Sequence, residues 1–363
     1  MYKKKLTYIY LSDRINRLKS NNTYPKEFFY GYHYLSDKYE KVNILEFENN
    51  KDSKLDYFLR KLSDLPFFSS KILNKKNYRE ISDTDHLFLT NQRVGFSVLP
   101  GILKIKQTKK LKISVFIMGL FNKKPNYILK RILRALFIGF FILTMNNLIF
   151  LSKGEFEFAK KRLPFFKNKF KFFSFCIDVD FWTKKSEVKK NKELLFIGND
   201  GQRDYKFILD LAKYMPDFKF NIVTTKIDKN QVMSNNVNLI GGSWNNVKYS
   251  DEFIRNLYHE SLVTLIPIKN SLQPSGQSVS LQSMSCGTPV IITSTDGFWD
   301  PEIFKDNINI LFTPNNELDV WKKRIELLVS DERFYQEVSS NARKSVEINY
   351  NLDGFNSFLE DLI

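Results

Sequence analysis

The run best equipped for chemistry in this 363-residue chain is LQPSGQSVSLQSMSCGTPV, residues 272–290. A strand ends near Pro267, a loop with Pro274 and Gly276 follows, and helical spacing begins around Ser278. Ser275, Gly276, Gln277 and Ser278 then fall at a helix N-terminus, where free N–H groups and the positive end of the helix dipole face whatever lies ahead. Gly276 has no Cβ to block close approach of the backbone, and Ser278 adds a hydroxyl. Such an end suits a diphosphate, although the same letters also suit an ordinary capped helix. Further on, Ser280, Ser283 and Ser285 alternate with Leu281 and Met284, as tight packing on a sheet requires.

The elements that must position this run read as an alternation of strands and helices. Strands are predicted at 194–197, 218–223, 237–240, 262–266 and 290–293, and helices at 205–214, 251–260, 279–285, 318–328, 331–348 and 352–363. That order marks a doubly wound parallel sheet. The N-terminal half is less regular, with strands expected at 6–11, 42–47, 86–90, 113–118 and 148–152. Residues 127–143 have helical spacing with Lys130, Arg131 and Arg134 near the start; they suit either a buried helix or an amphipathic one lying on a bilayer. The polar stretch KKSEVKKNK (184–192) is expected to link an N-terminal domain, 1–183, to a C-terminal domain, 193–348. Residues 349–363 form a final helix that would pack back toward the N-terminal domain.

Composition narrows the class. With 43% hydrophobic and 26% charged residues the chain is globular, and its length favours two domains. Cys176 and Cys286 give neither a disulfide framework nor metal-ligand spacing, and His33, His86 and His259 are scattered. The longest apolar stretch, 132–142, is broken by Arg134 and falls short of a spanning helix. The start, MYKKKLTYIYLSD, reads as a first strand rather than a signal peptide. Charge is uneven: residues 1–200 hold 40 Lys and Arg against 19 Asp and Glu, whereas residues 201–363 hold 16 against 21. No acidic residue lies between Asp85 and Glu155. A basic half implies an anionic partner: membrane lipid, a phosphorylated acceptor or nucleic acid.

The segment QSVSLQSMSCGTPVI followed by TSTDG resembles the nucleotide-sugar signature of the group 1 retaining glycosyltransferases, over about residues 190–363. The resemblance implies a GT-B fold, two Rossmann-like α/β domains with parallel sheets facing a central cleft. It also implies a nucleoside diphosphate sugar as donor, UDP- or GDP-linked, with no cofactor. The family places basic residues after the first strand of this half. Asn199 stands near one such position and Arg203 near the other, where its fork would meet the leaving diphosphate. A surface ion pair with Asp200 or Asp204 is the plainer role for Arg203. The family's two signature glutamates fall on Pro274 and Gln282. Gln282 keeps a carbonyl acceptor for the ribose, whereas Pro274 cannot replace its counterpart. Gly242 and Ser243 stand where the family binds the base, and Asp300 follows a strand toward the sugar. On the acceptor side, Arg93 and Glu155 follow predicted strands.

The expected reaction is glycosyl transfer with retention of configuration. Arg203, Gln277 and Ser278 would act on the departing diphosphate; Asn199, Gly242, Ser243, Ser275, Gly276, Gln282 and Asp300 would hold the donor. No metal is expected, since no Asp-x-Asp pair stands at a C-terminal strand end; Asp178-Val179-Asp180 lies in a connection. The charge asymmetry points to an anionic or lipid-linked acceptor, as in cell-surface polysaccharide assembly, and to the inner face of the cytoplasmic membrane. Two other readings stand beside it: a catalytically degenerate sugar-nucleotide binder, suggested by Pro274, and a basic nucleic-acid-binding protein. The latter is disfavoured because the charge forms no recognisable nucleic-acid module.

Overall fold

The protein is described here by a computed structural model covering residues 2–20, 23–122, 125–185, 192–242 and 249–363. It folds as two compact units. Met1–Ser20, Phe28–Phe173 and Asn356–Ile363 form the first, and Asn21–Glu27 with Ser174–Phe355 form the second.

The first unit runs β1 (Tyr2–Tyr10), α1 (Arg14–Lys19), α2 (Tyr32–Lys38), β2 (Tyr39–Glu46), α3 (Lys54–Ser63), α4 (Lys75–Ser82), β3 (His86–Leu89), α5 (Gln92–Lys106), β4 (Lys112–Ile117), α6 (Ile128–Thr144), β5 (Asn147–Phe150), α7 (Lys153–Arg162) and β6 (Phe170–Phe172). Its six strands are parallel, in the order β2-β1-β3-β4-β5-β6. Helices start where the sequence supplies a cap: Asn91 accepts from the Val94 amide at 2.9 Å, and Ser152 from the Glu155 amide at 3.2 Å.

The second unit continues with β7 (Glu193–Ile197), α8 (Tyr205–Tyr214), β8 (Lys219–Val223), β9 (Val237–Ile240), α9 (Asp251–Glu260), β10 (Val263–Ile266), α10 (Gln277–Ser285), β11 (Val290–Thr293), β12 (Leu311–Thr313), α11 (Leu318–Ser330) and α12 (Glu332–Asn349); α13 (Leu352–Leu362) begins in the second unit and ends in the first. The strand order β12-β11-β10-β7-β8-β9 is parallel throughout. Reading outward, the chain goes from β7 to β8 and β9 on one side, then returns to β10, β11 and β12 on the other. The switch point therefore lies between β7 and β10, and their carboxyl ends open a crevice there. Helices on both faces explain why strands such as Leu194-Leu195-Phe196-Ile197 are continuously apolar and buried.

Periodicity located ten of these strands. It missed β6 and β12, which span three residues each and leave no alternation to read. The domain limits also move. Residues 174–183 join the second unit, because Ile177 donates its amide to the Tyr350 carbonyl at 2.8 Å and Trp182 packs edge-on against Tyr258. The last eight residues join the first, where Glu360 accepts from Lys38 Nζ at 2.6 Å and Tyr34 at 2.8 Å, and Phe358 stacks on Phe173. Most of the expected linker, 184–192, lies outside the described residues.

Candidate anion site at the switch point

Two loops leave the switch point, and each carries part of the signature. The first, 198–204, follows β7; the second, 267–276, follows β10 and leads into α10. An antiparallel bridge between Arg203 and Ile268 joins them, with Asp204 donating to the Pro267 carbonyl at 3.0 Å and Lys269 to the Gln202 carbonyl at 2.8 Å. The bridge fixes Arg203 against the loop that starts α10.

Glycine makes this approach possible. A Cβ on Gly198 would stand 2.5 Å from Arg203 Nε. Gly276 has φ +86°, and a Cβ there would meet Ile266 at 2.7 Å and Arg203 Nη1 at 3.2 Å. Arg203 is consequently 2% exposed. Asp200 lies 3.3 Å from Nη1, so the expected ion pair is present. Its alignment makes no hydrogen bond, however, and both Nε and Nη1 are buried without a hydrogen-bond partner. The other Asp200 oxygen accepts from the amides of Gln202 and Arg203 and so shapes the turn. Asp204 is turned away, capping α8 at the Phe207 amide.

The hydroxyl of Ser275 is likewise buried and without a partner. Next to it α10 begins at Gln277, and its N-cap, Gly276, offers no side chain to cap it. Gln277 is buried and Ser278 is half-buried. The structure thus brings Arg203, Ser275, Gly276, Gln277 and Ser278 together. A fixed guanidinium and a buried hydroxyl converge on the positive end of this helix, a setting that suits an oxyanion. Behind them α10 is held rigidly, since Ser283 bonds Thr264 at 2.8 Å and the Thr288 carbonyl at 2.9 Å.

Gln282 is placed differently from its expected ribose role. It is fully buried, accepts from Tyr258 OH at 3.2 Å and donates to Glu27 at 3.0 Å. Glu27 escaped the sequence reading because it lies 255 residues away and belongs to a short N-terminal segment inserted into the second unit. Its carboxylate also accepts from the Trp182 indole at 2.7 Å and the Asp178 amide at 3.2 Å. Burial pushes its pKa up to about 7, against the pull of these donors.

The other expected donor contacts are tied up in the fold. Asn199 donates to the Gly242 carbonyl at 2.8 Å and accepts from the Thr225 amide at 2.7 Å, which joins the loops after β7, β8 and β9. Ser243 lies outside the described residues. Asp300, expected on a sugar hydroxyl, instead accepts from Tyr350 OH at 2.9 Å and from the Glu302 amide at 3.3 Å. Its loop is nonetheless pressed on the one before α10: a Cβ on Gly297 would lie 2.6 Å from the Ser271 carbonyl oxygen.

In the first unit, Glu155 is a structural anchor rather than an acceptor ligand. Fully buried, it accepts from the Gly119 amide at 2.7 Å and the Phe121 amide at 3.1 Å, and burial pushes its pKa up to about 7. Arg93 stacks its guanidinium 4.1 Å from the Phe68 ring centre. His86 contacts Ser114 Oγ through Nε2 at 2.9 Å and stacks on Phe88, and burial holds its pKa down to about 3. His259 contacts the Thr183 carbonyl. Among the described residues no group of three His, Cys, Asp or Glu side chains is placed to hold a metal ion.

Residues 180–345 match the profile of the family described as Glycosyl transferases group 1. Among solved structures, sucrose-phosphate synthase from Thermosynechococcus elongatus is similar over 99% of this chain and 98% of its own, with 12% identity and a TM-score of 0.72. HepE from Anabaena, in complex with UDP-glucose, aligns over 98% of both chains at 12% identity and a TM-score of 0.70. A glycosyltransferase from Rickettsia africae aligns over 100% and 98% at 13% identity and a TM-score of 0.68. No curated sequence matches the chain. The two parallel six-stranded sheets and these neighbours define a GT-B fold. The match of residues 180–345 to group 1, within this fold, makes the protein a glycosyltransferase whose C-terminal region is similar to that group.

Proposed function

We propose that the protein moves a glycosyl unit from a nucleoside diphosphate sugar, with UDP-sugars favoured, to an acceptor, and that configuration is retained. The observation that carries this is the convergence of buried Arg203, whose Nε and Nη1 make no hydrogen bond, on the glycine-capped start of α10. The β-phosphate would occupy that point. Arg203, the Ser275 hydroxyl and the Gln277 and Ser278 amides would then stabilise the charge that develops as the diphosphate leaves, with the helix dipole taking the place of a metal ion. The UDP-glucose held by HepE in the same fold supports the choice of nucleotide. The basic N-terminal half favours an anionic or lipid-linked acceptor, in cell-surface polysaccharide assembly at the inner face of the cytoplasmic membrane.

A second reading, a sugar-nucleotide binder without transfer activity, draws on Pro274 in place of a carboxylate and on the burial of Gln282. A melting-temperature panel of UDP, GDP and their sugars tests the nucleotide site. No stabilisation by any of them at millimolar concentration would sink the proposal. Donor binding without hydrolysis or transfer would select the second reading.

A further inference from the structure

Helix α6 is apolar on both faces. Its inner face is fully used: Ile138, Phe141 and Ile142 lie in the core, and buried Arg134 donates to the Asp64 carbonyl at 2.8 Å and the Leu120 carbonyl at 3.1 Å. Its outer face carries Ile128, Leu129, Ile132, Leu136, Phe140 and Leu143, all exposed, with Ile128 at 76% and Leu136 at 64%. The row 128, 132, 136, 140 and 143 follows helical spacing, so these side chains share one stripe. Water-facing helices normally turn a polar stripe outward, and a patch of this kind marks a docking surface. Helix α3 packs alongside, with Lys130 paired to Asp64 at 3.3 Å, and adds exposed Leu55 and Phe58.

Charge selects the occupant. Residues 86–154 contain no Asp or Glu, and Arg131 on α6 and Lys54 and Lys61 on α3 are exposed beside the apolar stripe. At the other end of α6, Lys169 donates to the carbonyls of Ile142, Leu143 and Met145 at 2.7–3.0 Å. The same short turn, Pro164–Lys169, holds Phe165 at 95% exposure. A second copy seated on this face would set these cations against their own images. An anionic bilayer satisfies both the stripe and its rim. The helix has 17 residues, about 25 Å by helical rise, and among the described residues no helix is long and apolar enough to cross a membrane. It would therefore lie in the plane of the surface.

We infer that the outer face of α6, with the neighbouring face of α3, docks the first unit on an anionic lipid surface. This inference stands apart from the sugar-nucleotide reading, since it needs no donor. Flotation of the full chain with phosphatidylcholine vesicles, with and without phosphatidylglycerol, tests it. The wild type is expected to float with the anionic vesicles, less so with neutral ones and less at high salt. Ile132→Ser combined with Leu136→Ser is expected to lower the partition coefficient about tenfold or more. Arg131→Glu with Lys61→Glu, at exposed sites that leave the core untouched, is expected to weaken anionic binding selectively. Circular dichroism melts establish that each variant is folded. The inference is overturned if wild type stays unbound with anionic vesicles, or if both folded variants float as well as wild type. It is equally overturned if sedimentation shows a dimer that the serine variant dissociates while vesicle binding is absent.

Discussion

Replacing Arg203 by methionine separates an anion-binding arginine from a merely structural one. Arg203 is buried with Nε and Nη1 making no hydrogen bond, and a buried donor without one costs about 1–3 kcal/mol. Its nearby charge, Asp200, already accepts two backbone amides and is partly exposed, so it tolerates the loss. Methionine keeps the stem that packs beside Gly198. The ligand-free melting temperature is therefore expected to stay within roughly 3 °C of wild type or to rise. With UDP bound, two charge-assisted hydrogen bonds worth about 1.5–3 kcal/mol each are missing. Affinity should then fall about 100-fold or more, and kcat for donor turnover by about 100- to 1,000-fold. Titration calorimetry with UDP, run beside thermal melts with and without it, reads both quantities. A variant that melts far below wild type yet keeps the full UDP-induced shift would refute the argument. Arg203 would then be the structural partner of Asp200.

Writing the family glutamate back as Gln282→Glu is expected to destabilise the protein by about 3 kcal/mol, because it sets a second buried carboxylate beside Glu27. Adding Glu27→Gln should recover most of that loss in chemical denaturation, and no recovery would mean the two side chains are uncoupled. Glu155→Gln is expected to lower stability by roughly 2 kcal/mol, since an NH2 then faces the amides of Gly119 and Phe121, while donor hydrolysis stays unchanged. The carboxyls of Glu27 and Glu155 also set a pH dependence, because both have folded pKa values raised from 4.5 to about 7. Their contribution is greatest below pH 4.5 and declines as pH rises to about 7, by roughly 1.4 kcal/mol per pH unit for each group. Denaturation from pH 4.5 to 8 should show Glu155→Gln with a shallower decline than wild type; equal slopes would contradict the assignment.

The sequence by itself determined most of the second unit. Continuous apolar runs marked β7 to β11, helical spacing marked α8 and α9, and the Ser-Gly pair marked the opening of α10, because each of these is written within a few neighbouring residues. The family resemblance then named Arg203, six residues beyond the end of β7. Tertiary structure alone decided which of the named side chains are free to act. Strand order put the loops after β7 and β10 side by side, and the Arg203–Ile268 bridge left the guanidinium buried with donors to spare. Gln282 and Glu155 had the right residue types, but both are fully buried on partners in the fold, and Asn199 and Asp300 also hold distant partners. Glu27 reached Gln282 from the opposite end of the chain. Hydrogen bonds between distant segments leave no period in the sequence, so polar residues that build the fold and those that face a ligand look alike until the chain is folded.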